Sequence, residues 1–201
     1  FVRHRQKQPK EVVKAKDPLP LFPLEFTNSR GTKMRYAFYP ARAQSQGLVV
    51  LFHGYLGFEI DAANSSWQDF DLLLPLDNFG WNGLGSWFWG EAGDNFVETA
   101  TQELIEKLCR ERGNTRWFCT GASMGGFAAL YHGIKHQADG IYVMTPILNL
   151  KPKIERYRQR GTETAYTAVA DPKDHSLRGV PDIYIEAKKV ESLPPLFLTQ
   201  N

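Results

Sequence analysis

A serine between glycines is the feature of this sequence that most restricts its fold. Gly121-Ala-Ser123-Met-Gly125 is a G-x-S-x-G pattern, with the apolar run Arg116–Thr120 before it and the helical pattern Phe127–His136 after it. Such a motif sits on a sharp turn from a strand to a helix, where glycines relieve crowding and the serine hydroxyl stands clear of the sheet. We predict this turn, with Ser123 as a nucleophile. The alternative is a glycine-rich connection whose serine has no chemical role.

Apolar runs and helical patterns alternate along the rest of the chain. Gly47–His53 is apolar without alternation, which is typical of a strand buried on both faces of a parallel sheet. The order predicts a three-layer α/β fold, mostly parallel, with an N-terminal antiparallel hairpin turning at Asn28–Gly31. The predicted strands are Leu21–Thr27, Met34–Tyr39, Gly47–His53, Phe70–Leu76, Arg116–Thr120, Gly140–Met144, Pro181–Glu186 and Leu196–Thr199; the predicted helices are Glu91–Arg112 and Phe127–His136, and residues 149–179 are charged and irregular with room for one helix.

Charge and hydropathy exclude two classes of partner. A formal net charge of +2 does not indicate nucleic-acid binding, and no run of about 18 apolar residues is present to span a membrane. Residues 1–20 are basic and polar and are expected to form a linker, whereas residues 21–201 are expected to form one domain. Cys109 and Cys119 lie among apolar neighbours and are expected to be free thiols rather than a disulfide framework.

A second motif precedes the serine turn. The strand Gly47–Phe52 ends in His53-Gly54-Tyr55, and together with Gly121–Gly125 this resembles the α/β-hydrolase superfamily from Leu21 onward. The resemblance implies an oxyanion hole made by the backbone N–H groups of Tyr55 and Met124, and the latter N–H also lies at a helix N-terminus. It implies that His53 and Gly54 shape the loop and that no cofactor is needed. The alternative is a strand-end histidine without such a role.

The resemblance also implies an acid and a histidine base after the last strands. Leu196–Asn201 resembles the penultimate strand, so the acid and base are expected beyond Asn201, and the domain is expected to be truncated at its C-terminus. Within the sequence, His175 is the candidate base, although a charged loop explains its neighbours more simply. His132 and His136 have the spacing of a metal pair, but no carboxylate or cysteine group completes a site, so we predict no metal.

An aromatic loop, residues 78–96, follows one of the predicted strands. Its glycine spacing does not match a dinucleotide fingerprint. Trp81, Trp87 and Trp89 are candidates for the wall of a substrate site, by stacking on a sugar or enclosing an acyl group. Internal packing of the loop is the equal alternative. Asp77, Glu91 and Asp94 nearby are expected to face solvent or to cap a helix, and the alternative is that they bind polar groups.

The predicted function is hydrolysis or transfer of an acyl ester through an acyl-serine intermediate, with a small-molecule or carbohydrate ester as substrate. The motifs at His53-Gly54, Asn78-Phe-Gly80, Gly83–Gly90 and Gly121–Gly125 resemble bacterial hydrolase-like proteins of surface-polysaccharide and accessory secretion loci. That resemblance suggests an acylated carbohydrate. The alternatives are a catalytically inactive hydrolase-like binding or assembly protein, and a peptidase on the same fold.

Overall fold

The computed structural model describes residues 21–55 and 67–199. Within them seven strands form one sheet with the spatial order first, second, fourth, third, fifth, sixth, seventh. The first strand pairs antiparallel with the second and the second antiparallel with the fourth, and the other pairs are parallel. The predicted hairpin and mostly parallel sheet are confirmed. The strands are β1 (Leu24–Thr27), β2 (Lys33–Tyr39), β3 (Leu48–Phe52), β4 (Asp71–Pro75), β5 (Trp117–Ala122), β6 (Gly140–Met144) and β7 (Leu196–Thr199).

Two helices lie near their predicted positions. The first begins at Phe96 rather than Glu91, because Glu91 and Asp94 exchange backbone hydrogen bonds of 3.1 and 2.8 Å across a tight turn. It ends at Gly113, whose φ of 68° is left-handed. The second begins at Met124, directly after the serine. The described helices are α1 (Phe96–Arg112), α2 (Met124–Lys135), α3 (Lys151–Gln159), α4 (Ala165–Ala168) and α5 (Ile183–Ala187).

The prediction of a strand at Pro181–Glu186 is wrong. The side chain of Asp182 accepts hydrogen bonds from the N–H groups of Tyr184 and Ile185, and α5 begins there. Such a side-chain cap satisfies N–H groups that have no partner inside the helix. The short alternation of apolar and polar residues is therefore helical, not extended.

Strands β3 and β4 are buried along their whole length, as expected for central strands. One face of the sheet packs against α1 and α2. The core between them includes Phe52 of β3, Leu104 of α1 and Phe127 of α2. The other face carries Val49, Leu51, Leu72 and Leu74 of the same two strands, packed against Phe22. The two faces thus account for the continuous apolar runs that the sequence shows at these strands.

The carboxyl ends of β3 and β5 lie side by side, with Phe52 paired to Gly121. Chain leaving parallel strands emerges at one edge of the sheet, and ligands bind at that edge in open α/β folds. The segments after these two strands, His53–Tyr55 and Ser123 with α2, are therefore neighbours. This edge contains the candidate site.

The described part of the chain includes no helix with the length and apolarity needed to cross a membrane. Cys119 is buried and Cys109 half-buried, and both are free thiols, as expected. Burial raises the pKa of both, that of Cys109 to about 11, so neither resembles a reactive thiolate. The predicted linker, residues 1–20, lies outside the described residues.

Candidate active site

Ser123 stands on the turn between β5 and α2, as the motif predicts. Its φ of 52° and ψ of −113° place a non-glycine residue in a sparsely populated region, which costs about 1–3 kcal/mol. Two backbone hydrogen bonds hold it there: its N–H donates to the carbonyl oxygen of Met144 (3.1 Å), and its own carbonyl accepts from Phe127 (3.0 Å). The side chain is exposed. The backbone strain therefore presents the hydroxyl to solvent.

The glycines of the motif are required by space. A Cβ on Gly125 would lie 2.1 Å from the carbonyl oxygen of Phe52, and a Cβ on Gly121 would lie 2.4 Å from that of Gly125. Both contacts are with backbone, one in β3 and one in α2, so neither can be relieved unless α2 moves away from the sheet. The start of α2 thus packs directly against the end of β3.

The two residues that the resemblance assigns to an oxyanion hole lie near Ser123. Met124 is the first residue of α2, so its N–H has no acceptor inside the helix and carries the partial positive charge of the helix end. Tyr55 follows β3 at the same sheet edge and lines a cavity together with Ser123 and Met124. Gly54 lies beside the turn, since a Cβ there would be 3.6 Å from the carbonyl oxygen of Ala122. The three segments implied by the resemblance are therefore adjacent.

His53 is buried and neutral. Its Nε2 accepts a hydrogen bond from the N–H of Asp77 (2.9 Å), and its Nδ1 lies 3.0 Å from the carbonyl oxygen of Gly54. A carbonyl only accepts, so the proton is on Nδ1. Burial lowers the pKa of His53. With both nitrogens engaged in backbone contacts, His53 joins the end of β3 to the end of β4 rather than facing Ser123.

The cavity beside Ser123 has a volume of about 300 Å³. Trp81 and Trp87 line it, and the indole N–H of Trp87 donates to the carbonyl oxygen of Ala165 (2.9 Å). Trp89 is not among the described residues that line it and is buried in the core. Trp81 and Trp87 therefore line the cavity, although Trp87 is also buried in the core, and the predicted place of Trp89 in a substrate wall is wrong.

Four of the ten described residues that line the cavity come from the segment 149–179, which the sequence pattern left as charged and irregular. Tyr157 and Tyr166 stack with ring centroids 5.7 Å apart, and Tyr166 contacts Trp87 at 4.9 Å. The signal available in the sequence was the occurrence of two tyrosines, Tyr157 and Tyr166, among mostly polar residues. The other wall residues from this segment are Thr164 and Ala165, and Ile147 lies just before it.

The prediction that Asp77 faces solvent or caps a helix is wrong. Asp77 is fully buried, and its carboxylate accepts hydrogen bonds from the N–H groups of Ser86 (2.6 Å) and Phe88 (2.7 Å) and from the Ser86 hydroxyl (2.9 Å). It therefore fixes the fold of the aromatic loop from inside. Asp94 is exposed and forms an ion pair with Arg30 at 2.8 Å.

The described structure brings no base to Ser123. None of residues 21–55 and 67–199 forms a hydrogen bond with its hydroxyl. His175 is exposed on a loop and is not among the cavity-lining residues, so the structure does not bring it to the serine. Expectations about an acid and base after Leu196–Asn201 lie outside the described residues. The carboxyl end of β7 lies at the same edge of the sheet, because Thr199 is paired with Met144 at the end of β6. The N–H of Thr145 also donates to the carbonyl oxygen of Thr199 (2.9 Å).

The prediction that no carboxylate accompanies His132 and His136 is wrong. Glu98 of α1 lies against both histidines of α2, and the Nε2 atom of His136 is 2.7 Å from its Oε1 atom. Burial alone would raise the pKa of Glu98, but the hydrogen bond with His136 and the nearby charge of Lys135 outweigh it and lower the pKa to about 2. The sequence could not show this, because the carboxylate belongs to another helix.

Acid should destabilise the protein through His132. Burial lowers the pKa of His132 to about 4, below its ordinary value of 6.5. As the pH falls from 6.5 to 4, the unfolded chain takes up a proton that the folded ring excludes, so the free energy of unfolding should drop by about 2–3 kcal/mol. Urea unfolding at both pH values measures this. His132→Gln should lose that part of the drop and His175→Gln should keep it; equal drops in all three proteins would contradict the assignment.

No protein-family model matches this sequence, and none of the curated proteins matches it. Solved structures do. A fluorophosphonate-binding serine hydrolase, FphF of Staphylococcus aureus, has a TM-score of 0.66 at 12% identity over 88% of this chain and 77% of its own. The capsule O-acetyltransferase of Neisseria meningitidis serogroup A has a TM-score of 0.61 at 17% identity over 86% of this chain and 75% of its own.

A third similar structure is the glycosylation associate protein (Gap123) complex from Streptococcus agalactiae. Its TM-score is 0.61 at 19% identity over 87% of this chain, and this chain spans 35% of the chain it matches. At identities this low, the structural similarity shows a shared fold alone.

Proposed function

We propose that this chain, which has the α/β-hydrolase fold, uses Ser123 to cleave or transfer an acyl ester through an acyl-serine intermediate. The observation that carries the proposal is the strained serine: a non-glycine residue at φ 52°, exposed, at the first turn of a helix and on the wall of a cavity. A strained backbone at such a place is typical of a functional residue. The serine hydrolase and the acetyltransferase among the similar structures support it.

The steps follow from the positions of the groups. The Ser123 oxygen attacks the ester carbonyl while a base takes its proton, and the carbonyl oxygen becomes an oxyanion. The N–H groups of Met124 and Tyr55 stabilise that charge. Collapse expels the alcohol, which takes up the proton, and leaves the acyl group on Ser123. Water or a second alcohol then releases the acyl group. The attack of Ser123 is fast only if a base lies close to its hydroxyl. We propose that this base lies at the sheet edge where β7 ends, beside Ser123.

We propose an acylated carbohydrate as the substrate class. Trp81 and the stacked pair Tyr157 and Tyr166 offer aromatic surface in a cavity of about 300 Å³, which is the low end of the range for small-ligand sites. Aromatic faces suit the apolar side of a sugar ring, and the cavity has room for a short acyl group. The capsule O-acetyltransferase among the similar structures supports this class.

A specific observation favours the second candidate, a non-catalytic binding or assembly protein. Among residues 21–55 and 67–199, none forms a hydrogen bond with the Ser123 hydroxyl as a base would. The Gap123 protein among the similar structures is part of a complex, which supports this alternative.

Fluorophosphonate labelling separates the two candidates. The probe phosphonylates an activated serine, so the enzyme should label at one site, and Ser123→Ala should lower labelling at least tenfold. Ser192 is also exposed and lies outside the cavity wall, so Ser192→Ala is the matched control and should label like the wild type. A folded full-length protein that does not label, or labelling that survives in Ser123→Ala, would contradict the enzymatic proposal and favour the assembly role.

A further inference from the structure

Three side chains of metal-ligand type lie between α1 and α2, apart from the cavity of Ser123. Glu98 lies in the first turn of α1, His132 lies in the last turn of α2, and His136 directly follows that helix. One ligand atom of each lies within 4.8 Å of the other two. Glu98 is 4% exposed and His132 is fully buried. Nothing in the acyl-serine mechanism uses these groups.

One ring nitrogen of His132 has no hydrogen-bond partner among the described residues. Its Nε2 atom is 2.9 Å from the carbonyl oxygen of Phe88, and since a carbonyl can only accept, the proton of the neutral ring is on Nε2. The lone pair of Nδ1 is then free to accept, yet Nδ1 has no hydrogen-bond partner among the described residues. A histidine that donates one N–H to a backbone carbonyl and presents its other nitrogen is oriented as metal ligands commonly are.

We propose that Glu98, His132 and His136 bind a divalent transition-metal ion, with Zn²⁺ as the best fit. Two imidazoles and a carboxylate are a ligand set that Zn²⁺ takes with bonds of about 2.0–2.2 Å and a water as fourth ligand. His132 binds through Nδ1, Glu98 through a carboxylate oxygen, and His136 through a ring nitrogen. Tetrahedral ligands are about 3.3 Å apart, so the 2.7 Å contact of Glu98 with His136 opens by tenths of an ångström when the ion replaces the shared proton.

Lys135 competes with the ion. Its ammonium group lies 3.0 Å from Glu98 Oε1, and its side chain is 29% exposed, so it can turn into solvent when a cation arrives. Its positive charge weakens the site by occupying the carboxylate. If Glu98 serves only in an ion pair, the loss of Lys135 should lower stability without creating Zn²⁺ affinity. If the cluster is a metal site, the same loss should raise its affinity for Zn²⁺.

The ion would hold the aromatic loop in place. The N–H of Glu98 donates to the carbonyl oxygen of Trp89 (2.9 Å), and the Nε2–H of His132 donates to the carbonyl oxygen of Phe88 (2.9 Å). The loop that contains Trp87 is thus attached to two of the three ligands. The site is structural, and its occupancy should not change which serine reacts.

Zinc titration of the full chain tests the proposal. After treatment with a chelator, the folded protein should bind one equivalent of Zn²⁺ by calorimetry, and Tm should rise by about 5–10 °C at a hundredfold excess over Kd. Co²⁺ should give the intense visible bands of a tetrahedral site. His136→Gln and Glu98→Gln should each weaken Zn²⁺ binding at least tenfold, whereas Lys135→Gln should strengthen it.

His175→Gln is the matched control, because it removes an exposed histidine away from the cluster, and it should bind Zn²⁺ like the wild type. The proposal is overturned if the wild type binds no stoichiometric Zn²⁺, or if His175→Gln weakens binding as much as His136→Gln. Tighter or equal binding in folded Glu98→Gln would overturn it as well. Circular dichroism of each variant shows that the fold is intact, and Lys135→Gln keeps the test informative should Glu98→Gln fail to fold.

Discussion

Gly125→Ala is expected to destabilise the protein by about 3 kcal/mol or more and to abolish labelling of Ser123. The new methyl group would lie 2.1 Å from the carbonyl oxygen of Phe52 and 2.8 Å from that of His53. Both atoms belong to backbone at the end of β3, so relief requires α2 to move away from the sheet. That movement displaces the N–H of Met124 and the strained backbone of Ser123 together. Urea unfolding and fluorophosphonate labelling measure the two effects.

Gly179→Ala is the matched control for that substitution. A Cβ at Gly179 meets only the carbonyl oxygen of Gly93, at 4.0 Å, and its φ is not left-handed. Its free energy of unfolding should stay within about 0.5 kcal/mol of the wild type or rise slightly, since alanine restricts the unfolded chain. If Gly125→Ala is as stable as Gly179→Ala, the close approach of α2 to β3 described here does not exist.

The nucleophile turn could be predicted because its requirements are local. Gly121, Ser123 and Gly125 lie within five consecutive positions, and the strand before them and the helix after them are continuous patterns. The central strands were predictable for the same reason, since β3 and β4 are buried on both faces and carry unbroken apolar runs. Local rules and the final fold agree at these places.

The features that the sequence did not show depend on contacts between distant segments. Glu98 is 34 positions from His132, and only the packing of α1 on α2 brings them together. In the same way, Trp87 and Trp89 are two residues apart in a glycine-rich loop and both are buried in the core, yet of the two only Trp87 also lines the cavity. Left-handed backbone at Trp87 and Phe88, with φ of 62° and 53°, turns successive side chains in directions that no periodic pattern predicts.

This irregular loop leads to the second large effect. Asp77→Ala should lower the free energy of unfolding by about 3–5 kcal/mol, because the N–H groups of Ser86 and Phe88 lose their acceptor in a buried place, at about 1–3 kcal/mol each. The loop should open and expose Trp87 and Trp89. Tryptophan emission should shift to longer wavelength under native conditions, and urea unfolding should give the loss of stability.

Asp69→Ala and Asp77→Asn make that result specific. Asp69 is exposed, and its side chain forms no hydrogen bond with the described residues, so Asp69→Ala should leave stability and emission unchanged. Asp77→Asn keeps one carbonyl oxygen as an acceptor and should lose an intermediate amount. If Asp77→Ala matches Asp69→Ala in stability and emission, the carboxylate does not hold the loop. The different surroundings of Trp87, which lines the cavity, and Trp89, which does not, would then need another cause. A loss in Asp77→Ala that Asp77→Asn only half restores would show that the loop depends on both carboxylate oxygens, which is what its three short hydrogen bonds require.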